Sequence, residues 1–302
     1  MKARIGALLG VLLLCAGCGF FKKDDAEEAP PPDACPRVDP AKRVLTGAAV
    51  RQPQGVAQFD LLRIDGKAHR SGALARIRLD ESDTFKARSD GKGGFTGRRG
   101  ARATPVAGVA AAAKDFEALS LDYTLKKVGY TAEAAIGAPT RAAKVATTGQ
   151  ARYSGPVRLT LQNLGAEDAG TPLEVTGTVS LDVLFGSRLV DANFTGLKAA
   201  GADLPFDSLV WSGIGLCNTR VATSGQGRFQ TRNGDGRAVN FTGSGAGAPA
   251  GAAVLDATLY GFDEAAGLPA EIGGVLLIQG DSGIISGIFA ADLRPAAPAP
   301  AQ

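Results

Sequence analysis

Hydrophobic and polar residues alternate along most of the chain with a period close to two, the repeat of a strand with one buried face rather than the 3.6 of a helix. In Val175, Gly177, Val179, Leu181, Val183 and Phe185 one face is mainly apolar, while Thr176, Thr178, Ser180 and Asp182 make the other. After the turn Gly186-Ser187-Arg188, the segment Leu189–Leu197 puts Val190, Ala192, Phe194 and Gly196 on one side, which predicts a hairpin. The same alternation predicts strands over Ala151–Leu161, Leu209–Ile214, Gly227–Thr231, Ala238–Gly243, Ala253–Phe262, Glu271–Gln279 and Gly283–Ala291. Turns are expected at Asn233-Gly234-Asp235-Gly236 and Asp281-Ser282-Gly283. About eight antiparallel strands joined mostly by short turns favour a closed barrel, because closure leaves no exposed edge. The expected fold is therefore all-β, with an eight-stranded antiparallel β-barrel over residues 145–294 preceded by a smaller, less regular β-rich region over residues 41–144. Candidate strands in that region are Phe59–Asp65, Ala73–Leu79, Gly94–Arg98 and Leu119–Val128; the run Val106–Phe116 reads as a short helix or an alanine-rich loop.

The two ends of the chain follow a different pattern. Lys2 and Arg4 precede an unbroken apolar and small-residue run, Ile5–Cys15, with Ala16-Gly17-Cys18 directly after it. The run stops well short of the roughly 20 apolar residues that a spanning helix needs, so residues 1–17 read as a signal peptide. The small pair before Cys18 resembles the lipobox of bacterial lipoproteins, with Cys15 where Leu is usual. Cys18 is then the acylated first residue of the mature chain and its anchor in a membrane. Gly19 behind it points to the outer membrane rather than inner-membrane retention. Residues 18–40, with Lys22-Lys23-Asp24-Asp25, Glu27-Glu28 and Pro30-Pro31-Pro32, form the anchor and a charged, proline-stiffened tether. The Ala/Pro tail 295–302 has no core-forming residues.

Composition narrows the possible chemistry. Lys and Arg number 33 against 30 Asp and Glu, and loss of Lys2 and Arg4 with the leader leaves a formal +1. The basic cluster Lys86–Arg102 is interleaved with glycines, acids and small residues, as in a solvated hairpin, so nucleic acid is not an expected partner. Of four cysteines, Cys15 leaves with the leader and Cys18 is acylated; Cys35 and Cys217 remain, either as a disulfide, in an oxidising compartment, or as two separate thiols.

The C-terminal half resembles the barrel domain of transferrin-binding protein B and related surface lipoproteins. Tyr153-Ser154-Gly155 opens it, Gly177–Val183 leads into Phe185-Gly186, and Val239-Asn240-Phe241-Thr242-Gly243 follows. The close carries most of the resemblance: Tyr260 and Gly261, then Glu271, Gly273 and Gly274, then Gly287 and Phe289. The resemblance implies an outer-membrane lipoprotein at the cell surface whose barrel loops bind a protein, in iron or haem acquisition, and whose residues 41–144 stand where a handle-like region would. It also suggests a surface-lipoprotein translocator as a partner.

Catalytic chemistry has little to build on. His69 is the sole histidine, in a turn-like setting, so a histidine triad or multi-histidine metal site is excluded within one chain. His69 and the tyrosines are the remaining candidates for a haem ligand. Asn233-Gly234-Asp235-Gly236 offers too few oxygens for a calcium loop, Gly91-Lys92-Gly93-Gly94 lacks the end of a phosphate loop, and Trp211 reads as a core residue. No cofactor, metal site or enzyme activity is expected. Two alternatives stand beside a loop-based binder: a carrier of a small apolar ligand inside the barrel, and a structural envelope lipoprotein. Candidate binding loops are Leu164–Pro172, Ala199–Phe206, Gly243–Gly251 and Asp263–Ala270.

Overall fold

The computed structural model describes residues 44–54, 59–68, 74–79, 84–89, 94–97, 100–163, 172–200, 204, 206–223, 228–232, 238–239, 253–280 and 283–295. All of these belong to one compact unit, Cys35–Gln302.

Eight strands form the N-terminal half: β1 Val44–Pro53, β2 Asp60–Ala68, β3 Leu74–Arg78, β4 Thr84–Ser89, β5 Phe95–Gly97, β6 Arg102–Pro105, β7 Phe116–Leu125 and β8 Val128–Gly137. Each pairs antiparallel with the next, and β8 returns to β1 with Ala48 opposite Ala135, closing a barrel. The C-terminal half has β9 Gln150–Asn163, β10 Leu173–Leu184, β11 Leu189–Ala199, β12 Ser208–Cys217, β13 Arg220–Ala222, β14 Arg228–Arg232, β15 Ala238–Val239, β16 Ala253–Tyr260, β17 Glu271–Gly280 and β18 Gly283–Arg294. They form one curled sheet in the order β11-β10-β9-β18-β17-β16-β13-β12-β14-β15, and β11 also pairs with β12. The ladder thus comes back on itself, with β14 and β15 as a flap on the edge of β12.

The all-β class and the eight-stranded antiparallel barrel are as expected. The closed barrel of the strand order, however, lies in the region read as the less regular one. Its strands β3 to β6 are only 5, 6, 3 and 4 residues long, too short for alternation to stand out. Of the run Val106–Phe116, residues 106–115 form a loop with turns over 107–112, whose Val106 and Val109 are buried, and Phe116 opens β7.

Side chains segregate into three cores. The barrel interior holds Ile64, Ile77, Phe95, Leu119, Leu121 and Ile136. The C-terminal sheet curls around Tyr153, Phe185, Phe194, Trp211 and Phe289, all fully buried, with Phe194 edge-on to both Trp211 and Phe289 at 5.4 and 5.6 Å. A third core is the seam between the halves, where Ala48, Val50, Ala118 and Ala135 meet Val275, Leu277, Ile284, Ile288 and Ala290. Strands β17 and β18 serve two cores at once. Ile272, Leu276 and Phe289 point into the sheet's own interior, while Val275, Leu277 and Ile288 point into the seam.

Phe289 is central to that arrangement, with none of its surface exposed. Phe289→Ala should lower the unfolding free energy by about 3–5 kcal/mol. Chemical denaturation measures it, and a loss below about 1 kcal/mol would show that the aromatic cluster is not a core.

Candidate functional site

The seam ends in a cluster of polar and aromatic groups. Glu271, at the start of β17, is buried, and its carboxylate accepts the backbone N–H of Lys114 at 3.0 and 3.1 Å and that of Asp115 at 3.0 Å. Burial pushes its carboxyl up from the ordinary range, and the two amide donors pull it part of the way back. Tyr260 closes β16; its hydroxyl donates to the Thr46 carbonyl at 3.0 Å, and its ring stacks on Phe116 at 4.8 Å. Burial raises the Tyr260 hydroxyl pKa, so it stays a donor. Gly273 lies against the face of the Phe116 ring, where any Cβ would collide with it. Gly261 has φ +58°, and its missing side chain leaves room for the Asp115 carboxylate. The connection between the halves is tied into the same place, since Thr140 donates through its N–H to the Leu259 carbonyl at 2.9 Å and through Oγ1 to that of Gly261 at 2.6 Å.

Two more carboxylates sit along the seam. Asp256 is buried between Arg63 of the barrel and Arg220 of the sheet, each at 2.7 Å. Glu133 on β8 has its Oε2 enclosed without a hydrogen-bond partner. Burial pushes this carboxyl up to about 7; Arg158 draws it down and Glu174, ion-paired with Arg158 at 2.8 Å, pushes it up.

A shallow cleft of about 380 Å³ opens beside the cluster, lined by Asp115, Thr140, Arg141, Lys144, Gly261 and Phe262 among others. Lys144 lies 4.0 Å over the Phe262 ring and pairs with Glu264 at 2.6 Å. Charges of both signs are balanced here, and the arrangement supplies no nucleophile with an adjacent base. Among the described residues no group of three His, Cys, Asp or Glu could hold a metal ion.

Of the residues singled out in sequence, Tyr260, Gly261, Glu271 and Gly273 come together here. Tyr153, Gly155, Gly274, Gly287 and Phe289 lie elsewhere in the C-terminal sheet, with the Tyr153 hydroxyl donating to the Pro269 carbonyl at 3.0 Å. The signature is thus a set of packing and docking residues. Phe116, Asp115, Arg63, Asp256 and Glu133 were missed, since nothing local marks a residue whose surroundings are supplied by other strands. Cys18, Cys35 and His69 lie outside the described residues, and Cys217 is half-buried at the end of β12.

The antiparallel register sorts the candidate loops. Asn163 pairs with Gly283, Leu173 with Leu161, Ala199 with Val175, Leu209 with Phe194 and Ala253 with Ile278. The connections containing 164–172, 199–206 and 243–251 therefore all leave from one end of the sheet. Asp263–Ala270 is at the opposite end, folded over the Asp263 carboxylate, which accepts the N–H groups of Ala265 and Ala266 at 2.9 and 3.0 Å. Residues 164–171 and 243–251 lie outside the described residues.

No protein-family model matches the chain, and no curated protein does. Among solved structures it is similar to a transferrin-binding protein B variant from Haemophilus parasuis Hp5, at 14% identity and TM-score 0.48, over 84% of this chain and 45% of that one. It is also similar to isotype 1 transferrin-binding protein B from serogroup B Neisseria meningitidis, at 15% identity and TM-score 0.42, over 83% and 44%. A third, titled a surface lipoprotein, matches at 9% identity and TM-score 0.35, over 83% of this chain and 98% of that chain. The chain spans less than half the length of these two transferrin-binding protein B structures.

Two outcomes follow from the buried acids. Glu271→Ala strands two backbone donors and should cost on the order of 2–5 kcal/mol, with Glu271→Gln recovering part of the loss by returning an acceptor. Equal stabilities of the Ala and Gln variants in urea would refute that role. Glu133 is neutral more readily in the folded chain than at its unfolded pKa of 4.5, so its contribution is fully present below pH 4.5 and is lost as pH rises through about 7. On the order of 3 kcal/mol is at stake. Glu133→Gln should flatten the fall in stability between pH 4.5 and 8, and a parallel pH profile for variant and parent would contradict the assignment.

Proposed function

We propose that this chain is a lipoprotein of the outer membrane, anchored through Cys18 and exposed at the cell surface, that binds a macromolecular partner through loops at one end of the C-terminal sheet. The observation that carries this reading is the departure of three long connections from the same end of a rigid, filled frame. Rigid frames typically present recognition on connecting loops. The sequence resemblance to surface lipoproteins favours a partner that carries iron or haem, and a translocator to bring the chain to the surface.

The interior bears on the alternatives. Where a small apolar ligand would sit, Trp211, Phe194, Phe185, Tyr153 and Phe289 fill the space, which favours the loop-based reading over a carrier. A structural envelope lipoprotein would bind no partner through these loops, and the experiment below separates the two.

Replacing 164–172, 199–206 and 243–251 with short turns should leave the denaturation midpoint nearly unchanged and abolish capture of iron-loaded transferrin or a haem-carrying serum protein. Capture that survives the replacement would put the site elsewhere, and no capture by the parent chain would remove this partner class. Mass spectrometry of the mature protein should show an acylated Cys18 at the N-terminus; a chain starting at another residue would exclude the anchor. The same mapping without reductant should give a Cys35–Cys217 peptide pair, and alkylation of both thiols in the native protein would exclude the bond.

A further inference from the structure

At one hairpin the sequence and the backbone disagree. Strands β7 and β8 pair as far as Leu125 opposite Val128, which leaves Lys126 and Lys127 as a two-residue turn. Both stand at positive φ, +47° and +72°, where the Cβ of an L-residue crowds its own carbonyl and Asn-Gly is the pair that fits with least strain. Among the described residues Arg188 and Asn218 are the other non-glycine residues at positive φ, each alone in its turn. Both lysines are exposed, and among the described residues neither has an ion-pair partner. Val128 beside them is 42% exposed, more than any other large hydrophobic residue described. Below the turn the hairpin is stiff. Tyr123 and Tyr130 pair and stack at 5.5 Å, and the Arg51 guanidinium lies 5.1 Å over the Tyr130 ring and pairs with Asp60 at 3.1 Å. The Gln54 N–H donates to the Gly129 carbonyl at 2.8 Å. The turn is thus a strained cationic knob with an apolar side, carried on a fixed stalk.

The knob stands at the loop end. Tyr130 pairs with Pro53 at the far end of β1, away from Val44, where the chain enters the barrel. At that far end Gln52 Nε2 donates to Gln162 Oε1 at 3.3 Å and Gln279 Nε2 to the Phe59 carbonyl at 3.3 Å, so the barrel rim adjoins the end of the sheet from which the long connections leave. We propose that Lys126, Lys127 and Val128 are the barrel's part of the binding surface and seat on a protein partner that presents carboxylates beside an apolar side chain. The place of this contact rests on the loop-end reading above; its chemistry does not. Two cations attract carboxylates, and Val128 gives the partner an apolar surface to cover. A membrane is the poorer fit, because lipid-binding clusters gather roughly four or more cations and this turn lies away from the end where the chain enters. Nucleic-acid bases need exposed rings to stack on, whereas Tyr123 is buried and Tyr130 half-buried. Backbone strain of this kind persists where the surrounding structure enforces it and the side chains are used. The stacked and bonded stalk supplies that enforcement, and a rigid stalk gives up little freedom on binding.

The test uses the full chain carrying Cys18→Ser and, as probe, a labelled glutamate–tyrosine copolymer, which offers carboxylates beside apolar rings. Fluorescence anisotropy should show binding that weakens as salt is raised. Lys126→Gln with Lys127→Gln should weaken it about tenfold. Arg141→Gln with Lys198→Gln, the same charge change at two exposed cations elsewhere, should alter it little. Lys126→Asn with Lys127→Gly separates the charge from the turn: it should raise the denaturation midpoint by removing strain, and weaken binding as much as the glutamine pair does. Val128→Ser should leave binding of polyglutamate unchanged and lower the preference for the copolymer. No binding by the parent chain, or equal losses from the two glutamine pairs, would overturn the proposal. So would an Asn-Gly variant that is no more stable than the parent and binds as well. A greater loss of adsorption to phosphatidylglycerol vesicles than of copolymer binding, on changing Lys126 and Lys127, would overturn it in favour of a membrane. The chain with 164–172, 199–206 and 243–251 replaced by short turns should still bind the copolymer, so a failure of the loops and a failure of the hairpin tip give different results.

Discussion

The structure depends on three adjacent strands being buried on both faces. Over Ala253–Tyr260, Glu271–Ile278 and Gly283–Ala291 almost every side chain is buried, alternately inside the curled sheet and against the barrel. A sheet with one wet face exposes its polar positions every second residue; here that face is taken by Ala48, Val50, Ala118 and Ala135 of the neighbouring half. The seam residues are mostly small where the two sheets come closest, so backbone approaches backbone and the remaining gap is filled by Val275, Leu277, Ile284 and Ile288. Removing either half would leave this apolar surface in water. The two halves are separate in topology and joined in energetics.

Polar groups within such a seam must be satisfied or they cost stability. Glu271 is met by two amide donors, Asp256 by two arginines and Tyr260 by a carbonyl, and all of these pairings but that of Asp256 with Arg220 link one half to the other. These contacts define one register between the halves, because a shift of a single rung would strand every one of them. Glu133 is the exception, a carboxyl whose enclosed oxygen finds no partner. The seam therefore carries a proton-dependent weakness beside its otherwise satisfied groups.

Much of the C-terminal sheet could be read from local pattern. β9, β10, β11 and β12 alternate cleanly, and the signature from Tyr260 to Phe289 marked the strands that matter most. What those residues do was not readable, because Tyr260, Gly261, Glu271 and Gly273 act on Phe116, Asp115 and Lys114, more than 100 positions earlier. The barrel was harder still. Phe95–Gly97 and Arg102–Pro105 are strands by virtue of their neighbours, and three or four residues cannot show a period. The loop end was legible in part: the long connections stood out, and only the strand order shows that Asp263–Ala270 leaves the other three.

The pairing of β1 has a mechanical side. It lies between β2 and β8, antiparallel to both, and is bonded along nearly its whole length on each edge. A load arriving at Val44 along the strand axis acts parallel to β1, so the rungs on both edges share it at once rather than parting one after another as in a zipper. Pulled from this end while held at the far loops, the molecule meets force in its stiffest direction: it would yield by sliding a strand against two neighbours together, with the barrel as the grip.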